Sequence, residues 1–199
     1  FDHDGDGIKT GTGWISPDDG FLALDRDGNG AIDNGTELFG DATSLTTTFA
    51  SGSTYTYKAA DGFAALKAED TNHDGKVGSA DANWNQLRVW RDLNQDGLSQ
   101  SGELFPLNRV GIASVNVNKT VHINILPDGD QIADVGTFTK TDGSEGVLGE
   151  VGQLADINLA QDTFNSQFTD HIALAAGVSA LPDMQGSGQV RELQEAASI

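Results

Sequence analysis

The chain contains no cysteine, so disulfides, zinc-thiolate sites and thiol catalysis are excluded, and any external stapling must come from another source. Bound calcium is the natural substitute. Basic residues are scarce: 11 Lys and Arg stand against 30 Asp and Glu, a formal charge of −19. Nucleic acid and anionic membrane surfaces both need clustered Lys and Arg, so neither is an expected partner, whereas cations are. No apolar run approaches the roughly 18 residues of a membrane span, so membrane insertion is not expected. The 199 residues suit one compact domain with an extension. The start, Phe1-Asp2-His3-Asp4, resembles neither a signal peptide nor a native N-terminus, and the chain reads as a piece of a longer one. Conventional catalytic signatures are missing too: no Gly-x-Ser-x-Gly elbow, no His-Glu-x-x-His helix and no phosphate loop ending in Gly-Lys-Ser/Thr. His3, His73, His122 and His171 are scattered and read as surface or turn residues. No catalysis on an external substrate is expected.

What the chain does have is Asp set beside Gly and Asn instead of along helical faces. An acid or its amide at positions 1, 3 and 5, followed by Gly at 6, recurs four times, starting at Asp2, Asp25, Asp70 and Asp92. Calcium takes six to eight hard oxygens, and alternate acidic side chains on a tightly turning loop aim three of them at one point. The Gly makes the turn. The loop at Asp92 fits best, with Asp92, Asn94, Asp96, the Leu98 carbonyl, Gln100 at position 9 and Glu103 at position 12. The loop at Asp70 offers Asp70, Asn72, Asp74, the Lys76 carbonyl and Asp81 at position 12, a shorter acid suited to binding through one oxygen. The loop at Asp25 has Asp25, Asp27, Asn29, the Ala31 carbonyl and Asp33, with Glu37 arriving at position 13. That shift implies altered geometry. The first loop supplies Asp2, Asp4, Asp6 and the Ile8 carbonyl but has Gly13 at position 12, so its closing acid must come from elsewhere, Asp18 or Asp19 being nearest. The competing reading is that Asp-x-Asp-x-Asp-Gly strings are ordinary turns, since Asp, Asn and Gly form turns unaided. Four in about a hundred residues favour ligand chemistry.

Spacing of Phe63, Ala64, Leu66 and Lys67 predicts a helix over 62–69, and that of Trp84, Leu87, Val89 and Trp90 predicts another over 80–91. With a short helix near 102–107, the last two loops become EF-hand-like helix-loop-helix units sharing their middle helix. Trp84 and Trp90 are expected in the core. Residues 42–60 read as a polar connecting loop. Alternating runs over 113–117, 121–126 and 132–139, with a further run over 147–159, predict a small antiparallel sheet. The expected fold class is therefore α+β: a helix-loop-helix pair with additional calcium loops, followed by a sheet. Residues 1–155 form the expected module, and 156–199 an extension leading to whatever follows.

The stretches Phe1-Asp2-His3-Asp4, Thr10-Gly11-Thr12-Gly13-Trp14, Glu37-Leu38-Phe39-Gly40-Asp41 and Leu87 to Gly97 resemble the self-processing module of FrpC-type RTX proteins over roughly residues 1–155. Leu181 to Gly188 is similar to segments that follow this module in large RTX proteins. The resemblance implies a secreted or cell-surface protein in which calcium triggers cleavage of an upstream Asp-Pro bond, after which the new Asp end is joined to a lysine amine. The implied partners are calcium, the upstream segment of the parent chain and a lysine of a neighbouring protein. The four prolines here follow Ser16, Phe105, Leu126 and Leu181, so this chain carries no Asp-Pro bond, and no catalytic residue is assigned. A purely structural calcium spacer is the alternative. A dockerin-like pair of loops fits less well, because dockerins are shorter and lack both the sheet segment and the Trp14 and Phe39 neighbourhoods.

Overall fold

A computed structural model describes residues 1–146 and 154–199. The chain is built mainly of short strands. β1 (Ile8–Thr12), β2 (Phe21–Leu24), β3 (Ser44–Thr48) and β4 (Thr54–Lys58) precede α1 (Gly62–Lys67). Then come β5 (Lys76–Gly78), β6 (Leu87–Trp90), β7 (Leu104–Pro106), β8 (Ile112–Asn116), β9 (Thr120–Ile125), β10 (Gln131–Gly136) and β11 (Phe138–Lys140). β12 (Leu154–Asn158), β13 (Gln161–Phe168) and α2 (Leu193–Ala196) complete the described chain. The strands pair antiparallel in the orders β2-β6-β7, β11-β8-β5, β12-β10-β9, β1-β13 and β3-β4.

The β2-β6-β7 sheet organises the interior because both of its faces are buried. Leu22, Leu24, Leu87 and Val89 join one core with Phe63, Leu66, Val77 and Val115. Phe21, Ala23, Trp90 and Leu104 belong to a second core with Phe1, Trp14 and Ile32. In that second core Trp90 is fully buried, and its ring centroid lies 5.6 Å from those of Phe1 and Trp14 and 5.9 Å from that of Phe21. Such tilted and edge-on contacts are the favourable arrangements of aromatic rings.

The α+β expectation, with its EF-hand-like helix pair, is overturned. α1 is present as expected, capped by the Asp61 carboxylate accepting from Ala64 N, but it spans six residues. The 80–91 segment is a turn followed by β6, and 102–107 holds β7, so the described residues contain no helix-loop-helix pair. Trp84, Leu87 and Trp90 do recur every three residues. In the fold, however, Leu87 and Val89 face one core and Trp90 the other, and a strand buried on both faces loses the polar alternation that would mark it. Residues 42–60 are a hairpin, β3-β4, not an irregular loop. The runs after residue 112 are strands, yet they divide between two sheets. Within the 147–159 run, β12 is a strand and 147–153 lie outside the described residues. β13 pairs with β1, tying 161–168 to the chain's start.

Truncating Trp90→Ala should cost about 3–5 kcal/mol, as for a large aromatic removed from a packed core. Tyr55→Ala on the exposed hairpin should stay within about 0.5 kcal/mol. Urea unfolding of the two variants measures the contrast.

Candidate metal centres

Four loops share one backbone path. The residue at position 4 is left-handed in each, Gly5 (φ 74), Gly28 (φ 76), His73 (φ 60) and Gln95 (φ 58), and so is the Gly at position 6, with φ between 70 and 89 at Gly7, Gly30, Gly75 and Gly97. These reversals turn backbone N–H groups inward, where the acids receive them. Asp2 accepts from Gly5 N and Gly7 N at 2.8 and 3.0 Å, and Asp25 from Gly28 N and Gly30 N at 2.7 and 2.8 Å. Asp70 accepts from Asp74 N and Gly75 N, and Asp92 from Asp96 N and Gly97 N. Each side chain at position 3 accepts from the N–H at 5, and each at position 5 from the N–H at 7. The side-chain oxygens are thereby drawn to one side of the loop.

In three loops a later acid closes the turn in a common way. Glu37 accepts from Arg26 N and Asp33 N, Asp81 from Thr71 N and Gly78 N, and Glu103 from Leu93 N and Gln100 N. These donors are positions 2 and 9 of each loop. Glu37 therefore does the same work from position 13 that Asp81 and Glu103 do from position 12. All three are buried. A carboxylate has about four lone-pair sites. Glu37 and Glu103 keep sites free, whereas Asp81 Oδ1 also accepts from Thr71 Oγ1 and Asn72 N, leaving the spare capacity on Oδ2. Burial pushes the Glu37 carboxyl above its ordinary range against the pull of the Asp33 and Arg26 N–H groups, and the Asp33 and Asp27 charges push the same way. Burial also opposes charge on Asp81, but its donors outweigh it and hold the carboxyl below the usual range.

Two sets of three carboxylates converge to within 4.8 Å: Asp2, Asp4 and Asp6, and Asp25, Asp27 and Glu37. In the last two loops Asn takes position 3, and its amide donates to the acid beside it, Asn72 to Asp74 and Asn94 to Asp96. Asn29 likewise bridges Asp27 and Asp33, and Gln100 donates to Asp96. The carbonyl-bearing residues Ile8, Ala31, Lys76 and Leu98 all occupy position 7, following the left-handed Gly. Asp18 and Asp19, offered for the first loop, are not part of the Asp2, Asp4 and Asp6 set.

The loops are also wired to one another and to the cores. Trp14 Nε1 donates to Asp92 Oδ2 at 2.8 Å, Ile32 N donates to Ser99 Oγ at 2.6 Å, and Arg26 pairs with Glu69 at 3.3 Å. Ile32 and Ser99 hold position 8 of their loops. Gly35 N donates to Asp2 O, and a side chain on Gly35 would collide with the His3 carbonyl, so the first and second loops meet where only glycine fits. Sequence spacing could not show Trp14, Ser99 or Arg26 as loop partners, because each contact joins residues distant in the chain.

Residues 1–154, which include all four loops, match the SPM domain family. The chain belongs to that family. This SPM domain is 45% identical over 200 residues to the iron-regulated protein FrpA of Neisseria meningitidis serogroup C, a match covering 100% of this chain and 17% of that relative. The domain thus spans 17% of the length of the curated relative it matches.

The left-handed His73 carries a strain that its counterparts Gly5 and Gly28 do not. His73→Gly should stabilise the domain by about 1 kcal/mol, the cost of that conformation for a residue with a Cβ. Thermal unfolding checks this, and no change or a loss would mean that the imidazole itself contributes.

Proposed function

We propose that this SPM domain is a calcium-binding module of a secreted RTX-type protein, and that its calcium-loaded fold promotes cleavage of an Asp-Pro bond preceding it. The observation that carries the reading is the fourfold repeat of one loop path, with side-chain oxygens gathered to one side and two sets of three carboxylates inside 4.8 Å. The proposed ligands are Asp2, Asp4, Asp6 and Ile8 O; Asp25, Asp27, Asn29, Ala31 O, Asp33 and Glu37; Asp70, Asn72, Asp74, Lys76 O and Asp81; and Asp92, Asn94, Asp96, Leu98 O, Gln100 and Glu103. Oxygen is the only donor element in these sets, which suits a hard cation. Glu37 and Glu103 can bind through both oxygens and Asp81 through Oδ2. Calcium supplies the positive charge that these carboxylates otherwise lack.

Two carboxylates 4 Å apart repel by about 1 kcal/mol in water and by more when partly buried. A site with a dissociation constant of about 10 μM gains roughly 2.7 kcal/mol in millimolar calcium, so two such sites rival the stability margin of a typical domain. Folding then follows the compartment: loose where calcium is scarce, ordered outside. No described helix is long and apolar enough to cross a membrane.

The cleavage step balances without a further reactant. The Asp side-chain carboxylate attacks its own main-chain carbonyl carbon, the bond to the proline nitrogen breaks, and that nitrogen leaves as an amine after taking a proton. The resulting cyclic anhydride opens with water, or with a lysine amine to form an isopeptide bond. A folded module on the proline side holds the reacting atoms in line.

Titration calorimetry should give four calcium ions per chain, falling to three in Asp92→Ala. Placing an Asp-Pro linker before Phe1 should yield a protein that splits at that bond in calcium and stays whole in EDTA. Full calcium occupancy without cleavage would favour the structural spacer instead.

A further inference from the structure

Away from the loops the fold encloses a cleft of about 830 Å³ between β2, the residues before α1, and the β10 and β12 strands. That size is typical of a ligand site. Its walls are partly apolar, with Phe39, Phe63 and Leu66 among them. Five carboxylates also line it, those of Asp19, Asp41, Asp61, Asp134 and Asp156, while its described lining contains no Lys or Arg.

One side of this cleft already shows how it receives an ammonium group. Lys119 Nζ sits between Asp61 Oδ2 at 2.8 Å and Asp134 Oδ2 at 2.6 Å. Asp156 has no such partner: Gly62 N donates to its Oδ2 at 2.9 Å, and no described cationic side chain lies within ion-pair distance of it. Burial, followed by the charges of Asp61 and Asp134, pushes its carboxyl up despite the Gly62 N–H. His3 lines the same cleft and its Nε2 is buried without a partner. Apolar walls leading to an uncompensated carboxylate match a cation carried on a methylene stem, since lysine covers apolar surface with its chain and keeps its charge at the tip.

We propose that this cleft binds a lysine side chain of a partner polypeptide, with its ammonium group at Asp156 and its stem along Phe39, Phe63 and Leu66. The proposal rests on the joining reaction above for its use, since that reaction needs an amine held near the module, but binding itself requires neither an Asp-Pro bond nor cleavage.

The test is an NMR titration of the calcium-saturated domain with N-acetyl-lysine-N-methylamide and with its uncharged norleucine isostere. The lysine probe should shift resonances of Phe63, Leu66 and Asp156 and bind at least tenfold more tightly than norleucine. Asp156→Asn, whose Oδ1 can still accept from Gly62 N, should weaken the lysine probe at least fivefold and leave calcium stoichiometry unchanged. Equal binding of the two probes, shifts confined to residues outside the cleft, or displacement of the lysine probe by further calcium would each overturn the proposal. A linker fusion that cleaves while the domain shows no lysine preference overturns this site and leaves the proposed function standing.

Discussion

Carboxylate oxygens accepting backbone N–H groups from a left-handed turn are the interaction on which this structure depends. A loop of six residues has no regular partner for its N–H groups, and leaving them buried and unpaired would cost about 1–3 kcal/mol each. Here the acids at positions 1, 3 and 5 take them, and in three loops a later acid takes two more from positions 2 and 9. The same side chains that satisfy the backbone are therefore brought together. Their mutual repulsion is the cost of the turn, and a cation is the species that removes it.

This interaction reaches the interior because the loops grow directly out of buried strands. β2 ends at Leu24 and the second loop begins at Asp25; β6 ends at Trp90 and the fourth begins at Asp92. The fourth loop joins β6 to β7, with Arg91 N donating to Glu103 O as the first contact after the turn. Strands thus take the place that helices hold in an EF-hand, while the loop chemistry is unchanged. Trp14 closes the circuit, packing 5.6 Å from Trp90 and donating to Asp92. A change of charge at Asp92 is felt by the aromatic core through one hydrogen bond.

The division between what could and could not be read from sequence follows from the range of each interaction. The loops are local: every contact that shapes them lies within about a dozen residues, so acid and glycine spacing revealed all four, and even Glu37 was placed correctly as the later acid of its loop. α1 and the strands after residue 112 were also visible, from a local cap and local alternation. β6 was not, because its two faces enter different cores and the pattern that distinguishes a strand requires one wet face. The β3-β4 hairpin was missed for the opposite reason. Both faces of it are largely exposed, so its Thr and Tyr residues carry no contrast between inside and outside. The pairing of β1 with β13 joins residues some 150 apart, and no periodicity encodes such a partner.

The four loops are alike in path but differ in how much of their order the polypeptide supplies. In the third loop Asp81 receives four donors and Asn72 replaces a carboxylate with a neutral amide, so the turn is stapled by the chain itself. The first loop crowds Asp2, Asp4 and Asp6 together and the second crowds Asp25, Asp27 and the buried Glu37, with neutral groups in few of those places. Repulsion grows with the number of charged pairs and with their burial, so these two loops hold most of the electrostatic energy that depends on a cation. They also meet each other at Gly35, beside the chain's first residues. On the calcium reading, the end of the domain nearest the proposed scissile bond is then the part whose order responds most strongly to calcium, while the third loop and the core behind it remain closer to their final shape throughout.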